Sequence, residues 1–253
     1  MKRSVRRKLN AVASSAAVVV AAGSSSRLGG PVRKPFLPLR GRPLLAWSLR
    51  GLARIPGLRQ VVIVVRPEDR LRAERAVRAA GLRPGLPVRF VAGGARRQDS
   101  VLNGLREVAA EAELVLVHDA ARPFPSLPAI KEALRAAGKV GGAILALPVR
   151  ETVKSVASGG GRPPRIAATI PRAGLWLAQT PQVFRRKLLL ELSERLAREA
   201  PALEATDDAS VLEHFGRPVA LIESAGWNLK VTRREDLRLA ATLVQAFRAG
   251  LGG

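Results

Sequence analysis

Ala16-Ala17-Val18-Val19-Val20-Ala21-Ala22-Gly23-Ser24-Ser25-Ser26-Arg27-Leu28-Gly29 is the stretch on which the fold turns. A short run of small and β-branched apolar residues ending in a Gly/Ser turn predicts a buried strand. It falls well short of the ~20 apolar residues a membrane span needs. Small residues in the turn let a ligand approach the backbone, and exposed amides there form an anion cradle. Arg27 and Lys34 add positive charge beside it. The loop has neither the Gly-Lys-Ser/Thr ending of a P-loop nor the spacing G-x-G-x-x-G, so neither a P-loop nor a dinucleotide site is indicated.

Working outward, further strand-like runs occur at residues 61–65, 88–91, 114–118 and 143–147. Between them, residues 44–53, 68–80, 100–110 and 127–137 carry apolar residues at three- and four-residue spacing, and Gly81 and Gly138 stand where helix ends favour glycine. Continuous apolar strands alternating with helices predict an α/β fold, a Rossmann-like, mostly parallel sheet with helices on both faces. Ligands then bind beyond the carboxyl ends of the strands. After Leu147 the alternation breaks. Residues 151–158, a Gly-rich turn at 159–161 and residues 165–170 predict a polar β-hairpin arm, spanning about 150–172 with its flanks. Helices are expected at 182–199 and 208–215, and a strand at 219–222. The last helix is expected to open on a capping box of Thr232 and Glu235 and to run to Phe247.

Residues 1–15 read as a basic tail and lead-in, and residues 16–253 as a single domain. The basic start followed by apolar residues has the look of a secretory signal. Asn10, Ser14 and Ser15 interrupt it, and it runs straight into the Gly/Ser loop, so a cytoplasmic location is expected.

The chain has 253 residues, 47% hydrophobic and 25% charged, with a formal net charge of +23. Such a charge suggests nucleic acid, yet the arginines are spread over every helical segment rather than gathered in one stripe. There is no Tyr, and 6 Phe and 3 Trp offer few stacking platforms. Polyanionic small substrates explain the charge better. No cysteine is present, which excludes disulfides and thiol catalysis. His118 and His214 alone cannot build a zinc site, so a metal here would be magnesium or a similar divalent cation held by carboxylate and substrate phosphates.

Ala-Ala-Gly (residues 21–23) followed by Arg27 and Lys34-Pro35 resembles the signature of sugar-phosphate nucleotidyltransferases. Gly93-Gly94-Ala95-Arg96-Arg97-Gln98-Asp99-Ser100-Val101 is similar to the cytidylyltransferase branch, and His118-Asp119-Ala120-Ala121-Arg122-Pro123 is the most specific motif. Thr206-Asp207-Asp208-Ala209-Ser210 and Asn228-Leu229-Lys230-Val231-Thr232 follow in the same order. Together, over residues 16–239, they resemble the 2-C-methyl-D-erythritol 4-phosphate cytidylyltransferase family.

The resemblance implies transfer of the cytidylyl group of CTP to methylerythritol phosphate in isoprenoid precursor synthesis. Arg27 and Lys34 would hold the CTP phosphates, and Lys230 would act near the α-phosphate. Ala21, Ala22, Gly23, Gly93, Gly94 and Ser100 would contact the nucleotide, and Asp119 would hold the metal. Arg122, Thr152 and Arg172 would surround the second substrate's phosphate. The family's arm exchanges between subunits, so Thr152 and Arg172 would serve the partner of a homodimer. Some relatives carry an acidic residue where Ala95 stands, so the cytosine amino group is left to backbone carbonyls here. Arg97 and Asp99 are expected either to pair and hold their loop or to act in the site. His118 reads as a packed strand residue rather than a base. A ribitol 5-phosphate or other alditol phosphate cytidylyltransferase, with the same fold, remains open, as does a basic nucleic-acid-binding protein without CTP turnover.

Overall fold

The computed structural model describes residues 13–23, 32–157 and 162–248. The basic tail at residues 1–8, Arg27 with its turn, and the arm's Gly-rich tip at 159–161 lie outside the described residues.

The chain opens with β1 (Ser15–Val20), the two-residue strands β2 (Pro38–Leu39) and β3 (Arg42–Pro43), and α1 (Leu44–Leu52). Then come β4 (Leu58–Val65), α2 (Arg70–Ala80), β5 (Val88–Ala92), α3 (Arg97–Arg106), β6 (Leu114–Asp119), α4 (Leu127–Val140) and β7 (Gly142–Pro148). The arm strands β8 (Val153–Val156) and β9 (Ile166–Ile170) lead into the long β10 (Trp176–Arg185). The rest is α5 (Arg186–Glu199), α6 (Ala209–His214), β11 (Ala220–Glu223) and α7 (Arg234–Arg248).

Seven strands form one sheet in the order β11-β7-β10-β6-β1-β4-β5. Every neighbouring pair is parallel except those made by β10, which runs antiparallel to both β6 and β7. The α/β reading therefore holds. Alternation of side chains along each strand sorts the core into two layers. Ala17, Val19, Ile63 and Leu116 face α1, α2 and α4. Val18, Val62, Val64 and Val117 face α3, α5 and α6. Because both faces are covered, the central strands are apolar throughout and show no polar alternation. Val20 pairs with Val64 on one side and Asp119 on the other, so these strands end level with one another and form a shared carboxyl edge.

The strand β10 corrects the sequence reading, which began a helix at Gln182; the helix starts at Arg186. Gln179, Thr180 and Gln182 interrupt the apolar run, and the pairing of β10 with β7 shifts register between Gln179 and Gln182. These polar residues are nonetheless buried. Gly81 ends α2 at φ 60°, as expected, whereas α4 continues through Gly138 and stops at Gly141, where φ is 111°. At α7 the cap is Asp236 rather than Glu235: its Oδ2 accepts from the amides of Thr232 and Arg233 at 2.6 and 2.8 Å.

The arm pairs Val153 with Ile170 and Ser155 with Ala168. It exposes apolar side chains, with Val156 and Ile166 61% and 65% exposed and Ile170 also exposed, and beyond it Leu175 and the start of β10, Trp176 and Leu177, are exposed as well.

Candidate active site

Strand ends and the loops that follow them surround a cleft of about 680 Å³ at the carboxyl edge. That falls within the ~300–1,000 Å³ range of small-molecule sites. Its walls are Ala21, Ala22 and Gly23 after β1, Arg66 after β4, residues 93–97 with Ser100 after β5, and Asp119 at the end of β6; Lys34 and Lys230 close it. Nine of the residues singled out in the sequence thus meet in one place: Ala21, Ala22, Gly23, Lys34, Gly93, Gly94, Ser100, Asp119 and Lys230. Arg122 stands behind Asp119, buried, with Nε 3.9 Å from Oδ2. Thr152 and Arg172 are not among the lining residues. Both lie exposed on the arm, where Arg172 donates to the carbonyl of Arg150.

Asp119 is the electrostatic centre. Lys230 Nζ lies 2.7 Å from Oδ2, and Arg97 lies 3.9 Å from Oδ1. Burial alone would raise the Asp119 pKa, but the charges of Lys230, Arg97 and Arg122 outweigh it and hold the value at about 2. The carboxylate is therefore ionised at any working pH. Among the described residues no group of three or more His, Asp or Glu forms a ready-made metal cage. Two carboxylates among the described residues line the cleft, Glu68, which is paired with Arg33, and Asp119, so a magnesium ion would be held by Asp119 together with substrate phosphates.

Behind Asp119 sits His118, fully buried. Its Nε2 lies 3.0 Å from the Arg122 carbonyl and must donate, so Nδ1 accepts from Thr180 Oγ1 at 3.1 Å. Thr180 Oγ1 in turn accepts the Asp119 amide at 3.0 Å. Burial lowers the His118 pKa to about 4, which keeps the ring neutral. His118 is a packed strand residue, as expected, and it also ties the end of β6 to β10.

The turn after β5 needs glycine. A Cβ on Gly93 would lie 2.4 Å from Ala22 Cβ, and one on Gly94 would lie 2.5 Å from Asp99 Cβ. Ser100 Oγ accepts the Gly94 amide at 3.0 Å and donates to the Arg96 carbonyl at 3.2 Å, so this hydroxyl builds the turn. Gly93→Ala should push Ala22 out of line with the cleft. A displacement of ~1 Å can cost on the order of 100-fold in rate. Steady-state kinetics should show kcat/KM for CTP falling by about that factor, with a rise in KM; unchanged CTP kinetics would remove this turn from the nucleotide site.

Of the two alternatives for Arg97 and Asp99, pairing with each other does not occur. Arg96 takes Asp99 at 2.8 Å, and Arg97 reaches the buried Asp208 with two hydrogen bonds, 3.0 and 2.7 Å. That pairing raises the Arg97 pKa against the opposing effect of burial. Asp207 caps α6 by accepting the Ser210 amide at 3.0 Å. Arg66 escaped the sequence reading although it directly follows a strand, the position where ligand contacts concentrate. It lines the cleft and donates to the Ala22 carbonyl at 2.9 Å.

Residues 15–246 match the family model of 2-C-methyl-D-erythritol 4-phosphate cytidylyltransferase. The chain belongs to this family. It is 40% identical to the 2-C-methyl-D-erythritol 4-phosphate cytidylyltransferase of Pelotomaculum thermopropionicum, over 91% of this chain and 94% of that one. The crystal structure of the 2-C-methyl-D-erythritol 4-phosphate cytidylyltransferase from Thermus thermophilus is similar with a TM-score of 0.71 at 34% identity, over 90% of this chain and 98% of that one. A bifunctional enzyme IspD/IspF from Solidesulfovibrio magneticus is 44% identical over 90% of this chain. This cytidylyltransferase-family chain spans 56% of the length of that relative.

Proposed function

We propose that the chain transfers the cytidylyl group of CTP to 2-C-methyl-D-erythritol 4-phosphate, giving 4-diphosphocytidyl-2-C-methyl-D-erythritol and pyrophosphate in cytoplasmic isoprenoid precursor synthesis. The observation that carries this is the meeting of Lys34, Asp119 and Lys230, residues from three distant motifs, in one cleft at the carboxyl edge.

The acceptor is a phosphate monoester whose second pKa is about 6, so at neutral pH its oxygen is already a dianion's nucleophile. That oxygen forms a bond to the α-phosphorus of CTP, the bond from the α-phosphorus to the β-bridging oxygen breaks, and the electron pair leaves with pyrophosphate. No proton has to move, so the step asks for no general base. The task of the protein is to bring two anions together and stabilise charge on the transferring group. Lys34 and Arg27 hold the CTP phosphates, Lys230 serves the α-phosphate, and Arg122, buried behind Asp119, adds positive charge toward the acceptor phosphate. The Ala21–Gly23 and Gly93–Gly94 backbone groups flank the nucleoside, and carbonyls near Ala95 read the cytosine amino group. Asp119 would hold magnesium, which supplies neutralisation of nucleotide phosphate charge when bound.

The arm carries Thr152 and Arg172 to a second copy. Support comes from its exposed apolar residues Val156, Ile166 and Ile170, since a two-stranded hairpin is marginal alone. The test of this reading is pyrophosphate release from CTP and methylerythritol phosphate. Turnover should need magnesium and return when the metal is restored after chelation; turnover that survives full chelation would remove the metal from Asp119.

A further inference from the structure

The segment carrying Lys230 has no regular structure of its own. It is held at two backbone points: the Asn228 carbonyl accepts from Arg122 Nη1 at 2.8 Å, and the Val231 amide donates to the Ala121 carbonyl at 2.9 Å. Val231 is buried and Leu229 packs against the same apolar cluster, which holds the residues on either side of Lys230. A further polar anchor is the side chain of Asn228, which is 0% exposed. Its Nδ2 donates to Gln179 Oε1 at 2.9 Å and to the Thr180 carbonyl at 3.0 Å, both on β10. These are the polar residues at the register shift of β10, and Thr180 also receives the Asp119 amide. One short stretch of strand therefore fixes both members of the Lys230–Asp119 pair, whose 2.7 Å contact requires their supports to be in register.

We propose that Asn228 is a positioning residue, setting the reach of Lys230 into the cleft by locking its segment to Gln179 and Thr180. The proposal rests on the reading of Lys230 as an α-phosphate contact. It accounts for a buried asparagine that does not line the cleft. It also explains why β10 keeps two buried polar residues at its bulge.

The experiment is a double-mutant cycle on full-length protein, read as kcat and KM for CTP. Asn228→Ala should lower kcat by about 10- to 100-fold, as a misplaced reacting group does, and leave KM for CTP within about twofold, because the nucleotide loops are untouched. Added to Lys230→Ala, the same change should cost no more than about a further twofold, since the group it positions is gone. Isosteric Asn228→Asp fills the same space but turns an acceptor toward two acceptors, so it should lose kcat as Asn228→Ala does. A simple packing role predicts the opposite: wild-type kcat for Asn228→Asp, and full, multiplicative losses in the double variant. Either result overturns the proposal. Should the Asn228 variants fail to fold, Gln179→Leu removes one acceptor and must show a smaller kcat loss that likewise vanishes in Lys230→Ala. Failure of the functional reading looks different: the wild type would not turn over CTP, or Lys230→Ala would match it.

Discussion

Replacing Lys34 with alanine should lower kcat/KM for CTP by about two orders of magnitude, roughly 3 kcal/mol of transition-state stabilisation. The size follows from where the side chain is held. Lys34 opens a short 3-10 turn whose next two residues, Pro35 and Phe36, are buried. Arg33, immediately before it, reaches Glu68 at 2.7 Å and the fully buried Asp69 at 3.2 Å. The turn is thus fixed by its neighbours, and Lys34 extends a cation from a rigid base into the cleft. Truncating it leaves those anchors in place, so the melting temperature should barely move. Arg27→Ala is expected to behave alike. A Lys34→Ala enzyme with normal CTP kinetics would make the turn structural and the phosphate assignment wrong.

Arg172→Ala and Lys230→Ala chains should each be nearly inactive alone and active together. In an exchanged two-fold dimer, the arm of one chain completes the cleft of the other. Random pairing on co-refolding makes about half the dimers mixed, and each mixed dimer has one intact site and one doubly damaged site. Activity should return to about a quarter of the wild-type level. The geometry motivates the test: Arg172 lies on an exposed arm and does not line the cleft of its own chain, whereas Lys230 does. A mixture no more active than its parents, with mixed dimers confirmed by mass, would place both residues in one site and end the exchange.

Where the sequence was legible, the reason was burial on two faces. Runs such as Val61–Val65 have no polar alternation because both sides of the strand meet helices, and that pattern gave the parallel sheet and pointed to Asp119 at its edge. Illegibility began where polar residues are buried for the site's sake. Gln179, Thr180 and Gln182 look like loop or helix start, but they hydrogen-bond to Asn228, Asp119, Asp207 and the amides opening α6. Partner choice was equally hidden. Arg96 and Arg97 are adjacent, and only the fold sends one to Asp99 and the other to Asp208, 111 positions away. Arg66 was missed because it belongs to no quoted motif, although its place after a strand was signal enough.

The most direct measurement is pyrophosphate release from CTP and magnesium against a panel of alditol phosphates. Turnover is expected with 2-C-methyl-D-erythritol 4-phosphate, with a kcat/KM for ribitol 5-phosphate lower by at least about 100-fold, which asks roughly 3 kcal/mol of the contacts to the polyol. Comparable or better turnover of ribitol 5-phosphate, with none for methylerythritol phosphate, would contradict that expectation.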